Sequence, residues 1–135
     1  MTDIQPLIEA AWTDRSKLQD AATQDAIRTV IDHLDRGLVR VAEPSAAEDG
    51  SWQVNDWIKK AVILYFPLQQ MKTEEVGIFE FHDKMKLKTN YAQQQVRVVP
   101  PAVARYGAYL APGVIMMPSY VNIGAYVGEG TMVDT

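Results

Sequence analysis

The sequence predicts an α+β chain with a mainly helical N-terminal domain carrying a short hairpin, followed by the first coils of a left-handed parallel β-helix. Two observations carry this. Up to about residue 95 the apolar spacing is helical, and beyond it a bulky residue recurs every sixth position with a small one in fixed phase. The expected domains are therefore residues 1–95, helical, and residues 96–135, the incomplete start of a hexapeptide-repeat domain.

Ile4, Leu7, Ile8, Ala11 and Trp12 fall on one helical stripe, with Asp3 as a cap and Pro6 in the first turn. Ile27, Val30, Ile31 and Leu34 repeat the pattern, and Gly37 follows where a left-handed residue closes a helix. Leu38 to Glu43 and Ser51 to Val54 are short β-rich runs separated by Pro44, Asp49 and Gly50, which fits a hairpin with a longer loop. Asn55 can cap a third helix in which Ile58, Ala61, Val62 and Tyr65 share a face until Pro67 ends it. Residues 69–95 give no clear pattern. Trp12, Trp52 and Trp57 are expected in the core, because aromatic side chains dominate the energetics of small domains.

After Arg97 the period changes. Val103, Tyr109, Ile115, Val121, Val127 and Val133 are all apolar and six apart, and Gly107, Gly113, Ser119, Ala125 and Thr131 are all small. In a β-helix the bulky residues point into a narrow three-sided prism and the small ones fit its corners. Antiparallel strands, with a side-chain period of two, do not explain a six-residue phase kept over five repeats. Three hexads make one coil, so Val103 to Thr135 amounts to fewer than two coils, and an uncovered last coil is expected to associate or to be continued.

Composition restricts the function. The chain has 135 residues with 47% apolar, 22% charged, net charge -4 and no cysteine, which fits a folded domain and excludes thiol chemistry, disulfides and zinc ribbons. The basic residues are scattered except for Lys84, Lys86 and Lys88, whose alternation reads most simply as one solvated face of a strand or loop, with substrate or phosphate contact the lesser alternative. No basic stripe for nucleic acid is present, and no spanning apolar run or basic-then-apolar leader, so no membrane contact and a cytoplasmic address are expected. His33 and His82 lie outside the hexads, which disfavours a histidine base on the coils and the histidine ligands of a metal-dependent carbonic anhydrase of this fold; no metal is expected.

The runs Arg97-Val98-Val99-Pro100-Pro101-Ala102, Met117-Pro118-Ser119-Tyr120-Val121-Asn122-Ile123-Gly124-Ala125-Tyr126-Val127 and Glu129-Gly130-Thr131-Met132-Val133-Asp134-Thr135 closely resemble the tetrahydrodipicolinate N-succinyltransferase family. Leu38-Val39-Arg40-Val41-Ala42-Glu43 and Trp57-Ile58-Lys59-Lys60-Ala61-Val62 resemble its helical N-terminal domain, so the likeness spans nearly the whole chain. Gly128 stands where the family usually has Asp, and Phe79 to Lys88 follows it only loosely. The family's second half, with the rest of the β-helix, most of the coenzyme A contacts and a catalytic glutamate, has no counterpart here.

The resemblance implies succinyl transfer from succinyl-CoA, a co-substrate and not a permanently bound cofactor, to the amine of tetrahydrodipicolinate in its opened form, 2-amino-6-oxopimelate. This is a step of diaminopimelate and lysine synthesis without a covalent enzyme intermediate. It implies a homotrimer in the full-length form. By the same resemblance Arg97 is the cation for a substrate carboxylate, and Asp134 the anion that receives the ammonium and its proton. An ordinary aspartate, titrating near about 3.9, must be desolvated to act as a base or else act electrostatically. Alternatives are another hexapeptide acyltransferase, and a noncatalytic folding or oligomerisation unit; the 135 residues alone are expected to be inactive.

Overall fold

The computed structural model describes residues 3–135; the expectation of no leader falls in part on Met1 and Thr2, which lie outside them. Three helices come first: α1 (Gln5–Thr13), α2 (Ala21–Asp35) and α3 (Asp56–Tyr65). They pack through the stripes their periodicity defines. Ile8, Ala11, Ile27, Val30, Ile31, Ala61 and Leu64 are fully buried between them, and burial of each larger one contributes about 1.5–3 kcal/mol relative to exposure. After α2, Gly37 adopts φ +71° while the N–H of Leu38 donates to the carbonyl of His33 at 2.9 Å, closing the helix with the expected left-handed residue.

Neither predicted cap forms. Ile4 occupies the N-terminal position of α1 without a side-chain bond, and the Asn55 amide donates to the Arg40 carbonyl at 2.9 Å instead of to its own helix. That bond ties the start of α3 to the chain ahead of the first hairpin, β1 (Ala42–Pro44) with β2 (Trp52–Val54), which pairs antiparallel. Trp12 and Trp57 pack on the helical core as expected. Trp52 does not: it is 64% exposed, because every residue of β2 lies at the surface.

The patternless segment holds a second hairpin, β3 (Lys72–Val76) and β4 (Phe79–Asp83), turned by Gly77 and Ile78. It leads into residues 86–88, which pair along Arg105. Here one expectation fails. Lys88 is only 4% exposed, because its side chain runs against the C-terminal end of α2. Its ammonium donates to the Asp35 carboxylate at 2.9 Å and to the Asp35 carbonyl at 3.0 Å, where exposed helix carbonyls favour a cation. Lys84 reaches the Phe66 carbonyl, and only Lys86 remains on an open face, above the Tyr106 ring.

From Arg97 the chain forms two-residue strands: β5 (Arg97–Val98), β6 (Val103–Ala104), β7 (Tyr109–Leu110), β8 (Ile115–Met116), β9 (Tyr120–Val121), β10 (Tyr126–Val127) and β11 (Met132–Val133). All pair parallel and in rotation: β5 with β8 and β8 with β11, β6 with β9, β7 with β10. A rung thus recurs about every seventeen or eighteen residues. These strands enclose a second core around Ala104, Leu110, Met116 and Val121.

The inward phase differs from the expected one. Ala104, Leu110 and Met116 are at most 1% exposed, while Val103, Tyr109 and Ile115 are only partly buried. Val121, Val127 and Val133 do pack into the second core. The segment between Met116 and Val121 is one residue shorter than its counterpart between Val98 and Ala104, as the pairing of Val98 with Met116 and of Ala104 with Val121 requires. The positive-φ corners accordingly fall at Gly107, Gly113, Gly124 and Gly130, not at Ala125 and Thr131.

The two cores interlock. Ile123 and Tyr106 join the helical core, the Asp35 carboxylate also accepts the Gly107 N–H at 2.9 Å, and the Arg40 guanidinium lies 3.3 Å from the centre of the Tyr126 ring. No helix among the described residues is long and apolar enough to cross a membrane.

Candidate functional site

The ladder β5–β8–β11 places the two site residues named from the sequence. Strand side chains alternate between faces. Val98, Met116 and Val133 form one cross-ladder row and pack in the second core, so Arg97, Ile115 and Met132 form an outward row beside it. Arg97 is exposed, Ile115 is partly covered and Met132 is 57% exposed. Ile115, expected inside the prism, therefore faces outward next to Arg97.

Past Met132 the chain continues parallel to β8, with the Met117 N–H donating to the Val133 carbonyl at 2.9 Å. Asp134 follows on the outward side. Its carboxylate is exposed and, among the described residues, accepts only the Thr135 N–H, at 2.9 Å. Two strand spacings and two residues of rise separate the Arg97 and Asp134 backbones, about 12 Å. The Arg97 N–H donates to the Val114 carbonyl at 3.0 Å, but among the described residues its guanidinium has no ion-pair or hydrogen-bond partner, so the face carries an uncommitted cation and an uncommitted anion with Ile115, Met117 and Met132 between them.

A groove of about 520 Å³ lies elsewhere, between the β3–β4 hairpin and the Pro100–Pro101 corner, with Val76, Phe79, Phe81 and Tyr120 in its walls. Its charges are committed. Arg105 pairs with Asp83 at 3.0 Å and Lys72 pairs with Glu74. The Lys84 N–H and the Arg105 guanidinium hold the Asp83 carboxyl below the usual carboxylate range. A second space of about 520 Å³ is bordered by Asp35, Arg36, Tyr109 and a run of three glutamines, Gln93 to Gln95. Neither offers an unpaired cation opposite an unpaired anion, which sets the ladder face apart from both.

No group of three or more His, Cys, Asp or Glu side chains that could hold a metal ion occurs among the described residues. His82 alternates with Phe81 and Asp83, which line the groove, and its Nδ1 lies 2.8 Å from the Thr73 hydroxyl. The hexad count missed the outward position of Ile115. The glycine phase, Gly107 and Gly113 against Gly124 and Gly130, was the signal that could have found it.

Residues 3–68 match the family model described as "Tetrahydrodipicolinate N-succinyltransferase N-terminal". Three proteins named 2,3,4,5-tetrahydropyridine-2,6-dicarboxylate N-succinyltransferase align with the chain at 45–47% identity. The one from Polynucleobacter asymbioticus is 45% identical over 97% of this chain and 51% of its own length. That from Acinetobacter baylyi is 46% identical over 100% and 52%. That from Variovorax paradoxus is 47% identical over 98% and 50%. The chain spans about half the length of the curated relatives it matches. In sequence, then, essentially the whole chain is similar to the N-terminal half of the tetrahydrodipicolinate N-succinyltransferases.

Proposed function

We propose that this chain forms the front half of an N-succinyltransferase that moves the succinyl group of succinyl-CoA onto the amine of opened tetrahydrodipicolinate, 2-amino-6-oxopimelate. The observation that carries the reading is 45–46% identity, along 97–100% of the chain, to proteins bearing that enzyme's name. The free Arg97 and Asp134 on one ladder face support it chemically.

In this reading the substrate amine attacks the thioester carbonyl. The nitrogen–carbon bond forms, the carbon–sulfur bond breaks, and coenzyme A leaves as the thiol. Arg97 holds a substrate carboxylate, where a planar guanidinium offers two parallel donors. Asp134 faces the ammonium and accepts its proton or balances its charge as the nitrogen becomes nucleophilic. Such a group contributes about 10²–10⁴-fold to rate when correctly placed. The coenzyme contacts come from residues outside this span.

The parallel ladders, visited in rotation with a rung about every seventeen or eighteen residues, support a left-handed β-helix built from hexapeptides over residues 96–135. The separate apolar clusters support a division from the helical residues 1–95. A homotrimer acting in the cytoplasm completes the proposal. The test joins this chain to the remaining half of the Acinetobacter baylyi relative and measures thiol release from succinyl-CoA. Release that requires tetrahydrodipicolinate is expected. A folded chimera with no substrate-dependent release rejects the reading.

A further inference from the structure

We propose that Ile115 and Met132 form an apolar floor that seats the methylene chain of an amino dicarboxylate, so that this face selects substrate by chain length. The proposal rests on the reading of Arg97 and Asp134 given above and goes beyond it in naming which end of the substrate each one takes.

Three observations lead here. Met132 is 57% exposed although it sits in a paired strand, and its outward neighbour across the ladder is Ile115, itself beside Arg97. The row therefore runs cation, isoleucine, methionine, and Asp134 lies two residues beyond the methionine. Arg97 and Asp134 are not in contact: among the described residues no ion pair joins them, and their backbones are about 12 Å apart.

An opposite-charge pair at the two ends of an apolar strip is complementary to a molecule with charges at its two ends and methylenes between. The ammonium and carboxylate on a single carbon lie too close together to use the length of this strip. The carboxylate remote from the amine therefore goes to Arg97, the chain lies across Ile115 and Met132, and the amine is delivered to Asp134. A flexible thioether suits this role, since methionine adapts to the alkyl chain it covers. Shortening the ligand by one methylene costs either the arginine contact or the aspartate contact, as well as a factor of about four for the lost apolar burial.

The test labels the methionine methyl groups of the 135-residue chain with ¹³C and titrates it with 2-aminopimelate, 2-aminoadipate and glutamate, which have seven, six and five carbons. There are six methionines. The Met132 methyl resonance is expected to shift saturably. Affinity should fall at least about ten-fold from 2-aminopimelate to glutamate, corresponding to two methylenes. Arg97→Gln should abolish the shift. Met132→Ala should weaken binding and flatten the length series, and the buried Met116 methyl, 0% exposed, reports that the variant remains folded. Arg97-dependent binding that leaves the Met132 methyl unmoved, or that is equally tight at all three lengths, overturns the floor and leaves the proposed function standing. Binding independent of Arg97, or no saturable shift of any methionine methyl with any of the three, overturns both.

Discussion

Replacing Lys88 with methionine removes the cation from a nearly water-free pair while filling most of its volume. The Lys88 side chain is 2% exposed and that of Asp35 17%, and their 2.9 Å contact joins the end of α2 to the segment bonded along β6. Removing one member of a buried pair costs about 3–5 kcal/mol, because the other charge stays buried without compensation. Here Asp35 keeps the Gly107 N–H at 2.9 Å and some access to water, which reduces the expected cost to about 2–4 kcal/mol. Against a total of about 5–15 kcal/mol this is a large fraction, and urea unfolding should show a midpoint lowered by about 1–2 M at unchanged slope. Adding Asp35→Asn to the variant removes the orphaned charge yet keeps an oxygen for Gly107, so the double variant should be more stable than the sum of the single effects requires. A Lys88→Met midpoint within about 0.2 M of the parent, or strict additivity in the double variant, would refute the pair as the tie between the two cores.

Gly107→Ala should destabilise by about 2–5 kcal/mol in thermal unfolding: the residue has φ +95°, and an added methyl would lie 2.7 Å from the Ile123 side chain and 3.1 Å from Ile31. Tyr106, whose hydroxyl is pushed up to about 12 by burial and by Asp32 and Asp35, should ionise later than exposed tyrosines in an ultraviolet titration. Because its folded pKa is raised, its contribution to stability is complete below the unfolded value near about 10 and is lost as pH rises toward 12. Tyr106→Phe should therefore lessen the alkaline loss of stability, and an unaltered alkaline unfolding curve would count against this.

The helices were readable because each buries one stripe: Ile27, Val30, Ile31 and Leu34 are at most 2% exposed, and burial of that kind leaves a periodic trace. The β3–β4 hairpin left a weaker one. Phe79 and Phe81 alternate with Glu80 and His82, and Gly77 marks the turn, but every residue of β3 is exposed and nothing forces an apolar face onto Lys72 to Val76. Alternation also could not tell which of Lys84, Lys86 and Lys88 would pass beneath a helix end, since that depends on where α2 stops.

The six-residue period was legible and its phase was not. Val103 and Ala104, Tyr109 and Leu110, and Ile115 and Met116 are all apolar pairs, so counting by six fits either member. Only the corner glycines, which must take positive φ, record the one-residue shortening before Val121. For the site, no spacing rule singles out Arg97 or Asp134. Both were named through resemblance, and the ladder register then puts them on one face.

The most direct measurement is kcat/KM of the Asp134→Asn chimera, beside a check that its assembly state equals the parent's. A loss of about a hundred-fold or more with assembly unchanged is predicted. Turnover close to the parent's, with the same dependence on pH, would contradict the account.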